Sequence, residues 1–139
     1  MQTLKKLLKI FSPPIIVLSS HIILIPIGAY TFYPWLDIPM HFLGGLSVYL
    51  TYSMLFEWMK KKGEVGKMNE LIFFLFMISL VVLTAVLWEF MEFILDRMTA
   101  SYTQLGLADT MGDLFLGIIG GVFAYFIIKI KNKNSHKSL

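Results

Sequence analysis

The chain has 139 residues, of which 57% are hydrophobic and only 15% charged, with a mean hydropathy of +0.72. Soluble domains carry nearer a quarter charged residues, so a water-solvated globule is excluded, and no polar block is long enough to form a second domain. The lack of cysteine removes disulfides and thiolate metal sites. The net charge of +3 falls at the ends of apolar runs, which indicates membrane topology and no nucleic-acid partner.

Residues 1–12 put Leu4, Leu7, Leu8 and Phe11 on one helical face and Lys5, Lys6 and Lys9 on the other. This predicts a short interfacial amphipathic helix on an anionic membrane surface, or else a basic flank that only orients the first span. No small-x-small cleavage site follows, which argues against a signal peptide. Pro13 and Pro14 suit the first turn of a helix, where a missing N–H costs nothing. They therefore open a predicted first span over residues 13–33, kinked at Pro26. Tyr30, Tyr33 and Trp35 form an aromatic belt at its far end.

A second span is predicted over 37–58, closed by Lys60, Lys61 and Lys62, and a polar turn with Gly63 and Gly66 follows. The third, over 69–96, starts at Asn69, a good N-cap. A loop over 98–106 leads to a fourth span over 107–130 and a basic tail, 131–139, expected to be disordered. Each span reaches the roughly 20 residues a bilayer requires. The expected architecture is an all-α membrane protein, with four transmembrane helices in an antiparallel bundle. Four crossings place the N-terminus, the 60–68 turn and the C-terminus on one side. All eleven lysines fall there and Arg97 falls opposite, so the positive-inside rule makes both termini cytoplasmic.

The same topology sorts the acids. Glu57 can pair with Lys61 at i+4, and Glu70 lies in a first turn, where the helix dipole favours it. Asp37, Glu89, Glu92, Asp96, Asp109 and Asp113 instead fall at the outer ends of spans two, three and four. Glu89, Glu92 and Asp96 are spaced i, i+3 and i+7, on one helical face. His41 lies about 6 Å below the start of its span, and Glu89 about 10 Å below the end of its own. Three helices thus present Asp37 with His41, Glu89 with Glu92, and Asp109 with Asp113 at overlapping heights.

Some of these residues have simpler roles open to them. Asp37 can be a plain N-cap, Asp109 a dipole complement, and His41 a hydrogen-bonded core histidine. Glu89 and Glu92 resist such roles, because they lie near a helix C-terminus that disfavours negative charge. Arg97 points roughly 80–100° away from them. Crowded carboxylates at low dielectric cannot all ionise without protons or cations between them. Carboxylates at membrane depth mark a functional site by default. An oxygen-rich set with one imidazole suits Mg²⁺, Mn²⁺, Fe²⁺ or Zn²⁺, one ion or two. The expected metal ligands are His41, Glu89, Glu92, Asp113, Asp37 and Asp109, with Asp109 also the candidate general base. Gly44, Gly45, Gly112, Gly117, Gly120 and Gly121 are expected to pack helices closely. His21, alone in mid-span, is expected below the cluster as an interhelical hydrogen bond or a relay.

The segments Asp37-Ile-Pro-Met-His41-Phe42-x-Gly44, Trp88-Glu89-x-x-Glu92 and Asp109-x-x-Gly112-Asp113 resemble the bacterial YjdF-like inner-membrane proteins, over about residues 35–125. The first segment alone is also similar to VanZ-like proteins. This chain is shorter than is typical of the YjdF-like family. The resemblance implies a bacterial cytoplasmic-membrane protein and importance for Asp37, His41, Glu89, Glu92, Asp109 and Asp113, but no activity.

Three functions fit. A bound divalent ion would serve hydrolysis or transfer on a lipid phosphate or envelope precursor. Alternatively, the site only staples helices in an assembly or resistance factor, or it couples protons or cations to transport. A homo-oligomer fits any of them.

Overall fold

The computed structural model describes residues 2–99 and 105–135. Residues 100–104 of the predicted loop and 136–139 of the predicted tail lie outside that description. The described residues are helical, with no strand among them: α1 Gln2–Leu24, α2 Ala29–Phe32, a 3₁₀ turn at Pro34–Leu36, α3 Asp37–Lys61, α4 Glu70–Thr99 and α5 Leu107–Ser135. α5 continues five residues past the predicted end at Ile130, so the tail is helical as far as it is described.

The separate interfacial helix does not form. α1 runs unbroken through Pro13 and Pro14. Each proline removes the N–H that would bond the carbonyl four residues earlier, orphaning the carbonyls of Lys9 and Ile10. Both find hydroxyl donors. Ser12 Oγ donates to Lys9 O at 2.9 Å, and Thr51 Oγ1, reaching across from α3, donates to Ile10 O at 3.1 Å. Ile10 and Thr51 are both buried, so the repair takes place away from solvent.

α1 also ends nine residues before the predicted Tyr33. Pro26 cannot continue the ladder, the Gly28 N–H bonds Ile25 O, and Gly28 itself takes a left-handed φ of 69° that glycine tolerates. The chain then turns through the short α2. Tyr33 and Trp35 stay exposed, as a belt requires, but Tyr30 turns inward.

α3 is the hub, packing on α1, α4 and α5. It is also the odd helix in composition. α1 (from Thr3), α4 and α5 (to Asn134) are long and apolar enough to cross a membrane. α3 is long enough at 25 residues but carries His41, Ser47 and Thr51 together with Gly44, Gly45, Tyr49 and Tyr52. A helix shielded by its neighbours can hold polar groups that a lipid-facing helix cannot. The molecule is correspondingly inside-out. Leu75, Leu83, Leu87 and Phe90 of α4 face outward, while His21, His41, Glu89, Glu92 and Asp113 are buried.

Glycine sets the α3–α5 distance. A methyl on Gly45 would run into the Gly117 carbonyl, and one on Gly120 into the Phe42 carbonyl. Gly121 faces Val81 of α4 instead. Gly44 and Gly112 meet nothing, so the expected packing role does not hold for them. Below these contacts Tyr49, Met77, Val81 and Ala124 form the apolar core.

The ends of the bundle differ in charge. At one end Lys6 and Lys62 both approach the Trp58 ring, which brings the start of α1 beside the end of α3. There Lys129 and Tyr125 of α5 both bond the Glu70 carboxylate of α4. Asn69 Oδ1 caps α4 by accepting the Leu71 N–H at 2.9 Å. Glu57 pairs with Lys60 at i+3 rather than with Lys61, at 3.7 Å. The buried acids Glu89, Glu92 and Asp113 gather at the other end.

Candidate metal centre

His41 stands at the middle of the acidic end, buried, one turn into α3. Its Nε2 lies 3.3 Å from Asp37 Oδ1 and 3.8 Å from Asp113 Oδ1 of α5. Its Nδ1 lies 3.8 Å from Glu89 Oε1 of α4. One imidazole therefore has carboxylates from three helices on its two nitrogens. Asp37 is the first residue of α3, in helical φ/ψ, and its side chain goes to His41; Leu36 holds the cap position. The plain N-cap role is thereby overturned.

Three overlapping triads have ligand atoms within 4.8 Å of one another: Asp37–His41–Glu92, His41–Glu89–Asp113 and Asp37–Asp109–Asp113. All six residues expected from sequence take part. Asp109 divides its carboxylate, because Oδ2 accepts the Leu105 N–H at 2.9 Å and so reaches back over the start of α5. This acceptor role at the helix N-terminus, where the dipole favours a carboxylate, coexists with the triad. Arg97 lies 5.2 Å from the Phe93 ring, turned away from the acids as its helical angle demands.

Three further residues join: His21, expected to make an interhelical contact, and Tyr30 and Trp88, for which no such role was expected. His21 of α1 lies with Nε2 3.2 Å from Glu92 Oε1, and its Nδ1 is 2.7 Å from the Tyr30 hydroxyl. Trp88 Nε1 donates to the same Glu92 oxygen at 3.0 Å, and its ring stacks edge-on against His21. His21 is not below the cluster but level with it. The cause is the early end of α1: with the helix stopping at Leu24, His21 is three residues from its end rather than twelve. The one ionisable residue in an otherwise apolar span was the available signal. Tyr30 carried none, because a belt tyrosine and an inward one look alike in sequence.

Two hollows meet at this centre. One, of about 620 Å³, is lined by Tyr30, Trp35, Asp37, Asp109, Gly112 and Asp113 at the acidic end of the bundle. The other, of about 250 Å³, is an apolar cleft between α1 and α4 with His41 and Trp88 at its head. His41, with Asp37 and Asp113 against it, forms the partition between them. Such a site can hold a cation among oxygen ligands and reach both a polar and an apolar environment.

The fold and the site together define a helical integral membrane protein whose buried end is acidic and whose outward faces contact lipid. Residues 5–134 match the family model described as "Predicted membrane protein (DUF2238)", and the chain belongs to that family. The YjdF-like proteins to which the three motifs pointed are the same family. The likeness of the Asp37–Phe42 segment to VanZ-like proteins finds no support in the comparisons. No curated protein and no solved structure matches the chain.

Proposed function

We propose that the chain crosses the bacterial cytoplasmic membrane four times, with both termini cytoplasmic, and binds a divalent cation near the outer face for chemistry on a membrane-embedded phosphate substrate. The single observation that carries this reading is the convergence of Asp37, Glu89 and Asp113 on His41 from three helices. A neutral imidazole offers one N–H and one lone pair, too little to satisfy three carboxylates. A bound Mg²⁺, Mn²⁺, Fe²⁺ or Zn²⁺ supplies the missing charge and would polarise a phosphoryl oxygen or activate water. α3 counts as the fourth crossing by its length and by its place among three apolar helices. Asp109, half in the polar hollow, is the residue placed to act as base.

The test is element analysis of the detergent-purified protein. The wild type should carry about one or two divalent ions per chain, and Glu89→Gln, which removes a ligand, should abolish binding or weaken it beyond the roughly 10–100-fold lost with an outer-shell partner, while remaining folded. A metal-free wild type that stays metal-free when titrated overturns the reading.

A second reading has its own observation. Glu92 is already held by Trp88 and His21, so that half of the cluster can be a polar staple joining α1 to α4. It predicts that substitutions there lower thermal stability and that the wild type turns over no lipid phosphate. Coupled transport is the weakest reading. Among the described residues, the buried polar side chains beyond the centre include the hydroxyls of Ser47 and Thr51, committed to the carbonyls of Gly44 and Ile10, and of Tyr49, with no buried carboxylate or imidazole beside them.

A further inference from the structure

α1 and α4 both pack on α3 but share no extended interface with each other. They touch at the acidic end, where His21 meets Glu92 and Trp88, and separate below it. The gap is the apolar cleft of about 250 Å³. Ile15 and Leu18 wall it on one side and Val81 and Ala85 on the other, with Gly44 in the floor. From Trp88 down to Val81 it extends about 10 Å along α4 at 1.5 Å per residue.

Gly44 gives the cleft its depth. Glycine inside a helix weakens it, and a close helix contact is the usual compensation. Gly45 has that contact, against the Gly117 carbonyl; a methyl on Gly44 would meet no atom within 4 Å. What glycine does at position 44 is leave space in front of His41.

The flanks decide what fills that space. Ile16 and Ile22 of α1 and Leu83 and Leu87 of α4 face outward, all more than half exposed, on two helices apolar enough to span a bilayer. A gap between such helices opens onto hydrocarbon, and hydrocarbon chains are what is present at that depth. We propose that the cleft binds one acyl chain of a membrane lipid, with the lipid's polar end directed at the His41 centre. This deepens the function proposed above, on which it rests only for the role of the head group: the substrate is a lipid held by its tail, and Gly44 sets the space available to that tail.

The experiment uses the full chain in phosphatidylcholine vesicles doped with a phosphatidylcholine that bears a diazirine midway along one acyl chain. After illumination, mass spectrometry maps the adducts. Labelling should concentrate at Leu18, Val81 and Ala85 over the outward-facing Leu83. Gly44→Leu should reduce cleft labelling at least five-fold while labelling at Leu83 and helicity by circular dichroism are unchanged. Leu18→Trp fills the cleft from the opposite wall, should give the same loss, and serves if Gly44→Leu misfolds. Cleft labelling equal to that at Leu83, indifference to both variants, or chain-to-chain contacts occupying the cleft in place of lipid would overturn the proposal. Metal content is measured on the same samples. Selective cleft labelling in a metal-free protein supports the acyl site while the cation reading fails. Metal without selective labelling does the reverse.

Discussion

Glu92 shows how a buried charge is made tolerable one side chain at a time. It is 2% exposed, and its Oε1 receives Trp88 Nε1 from its own helix and faces His21 Nε2 from α1. Glutamine keeps an oxygen for the Trp88 N–H and beside His21, whereas leucine leaves the buried Trp88 N–H without an acceptor and removes the polar neighbour of His21. Glu92→Leu should therefore destabilise by about 2–4 kcal/mol, and Glu92→Gln by much less, read as unfolding midpoints in detergent. Equal losses would mean that charge, not hydrogen bonding, holds α1 to α4.

At the scale of the element, two devices fix helix geometry. The prolines of α1 leave the carbonyls of Lys9 and Ile10 without their helical donors, and hydroxyls replace them. Thr51→Val should cost about 1–3 kcal/mol because the Ile10 carbonyl is then buried and unpaired. In a Pro14→Ala background the restored N–H takes over, so the cycle should show a coupling of about 1 kcal/mol. An additive pair of losses would show that the Thr51 bond is unrelated to Pro14.

The adjacent glycines provide the second contrast. Gly45→Ala forces α3 off the Gly117 backbone and should cost about 1–3 kcal/mol or more. Gly44→Ala meets empty space and should be neutral or stabilising by up to about 1 kcal/mol. Thermal unfolding of the two variants side by side decides it.

For the whole molecule, charge separates the two ends of the bundle: lysines with their paired glutamates at one, the buried carboxylates with His21 and His41 at the other. The lack of native cysteine makes orientation simple to measure. In sealed inside-out vesicles a membrane-impermeant thiol reagent should modify Lys67→Cys and leave Leu105→Cys untouched. Right-side-out vesicles should give the opposite. Labelling of both from one side would remove the four-crossing arrangement.

Much of this architecture was legible from composition, because the cost of burying charge in a bilayer is large and general. The long apolar runs, the lysine asymmetry and the expense of Glu89 and Glu92 near a helix C-terminus all follow from residue type and helical period. Period and rise also placed Asp37, His41, Asp109 and Asp113 near one level. Tertiary structure alone decided the rest, because it depends on which groups repair one another across helices. Thr51 replaces the donor that Pro14 removes from α1, the turn at Pro26 brings His21 up to Glu92, and two neighbouring glycines divide, one closing an interface and the other leaving a cleft open. A side-chain donor supplied to a backbone carbonyl from a different helix leaves no trace in the local pattern of either, so proximity in space had to decide it.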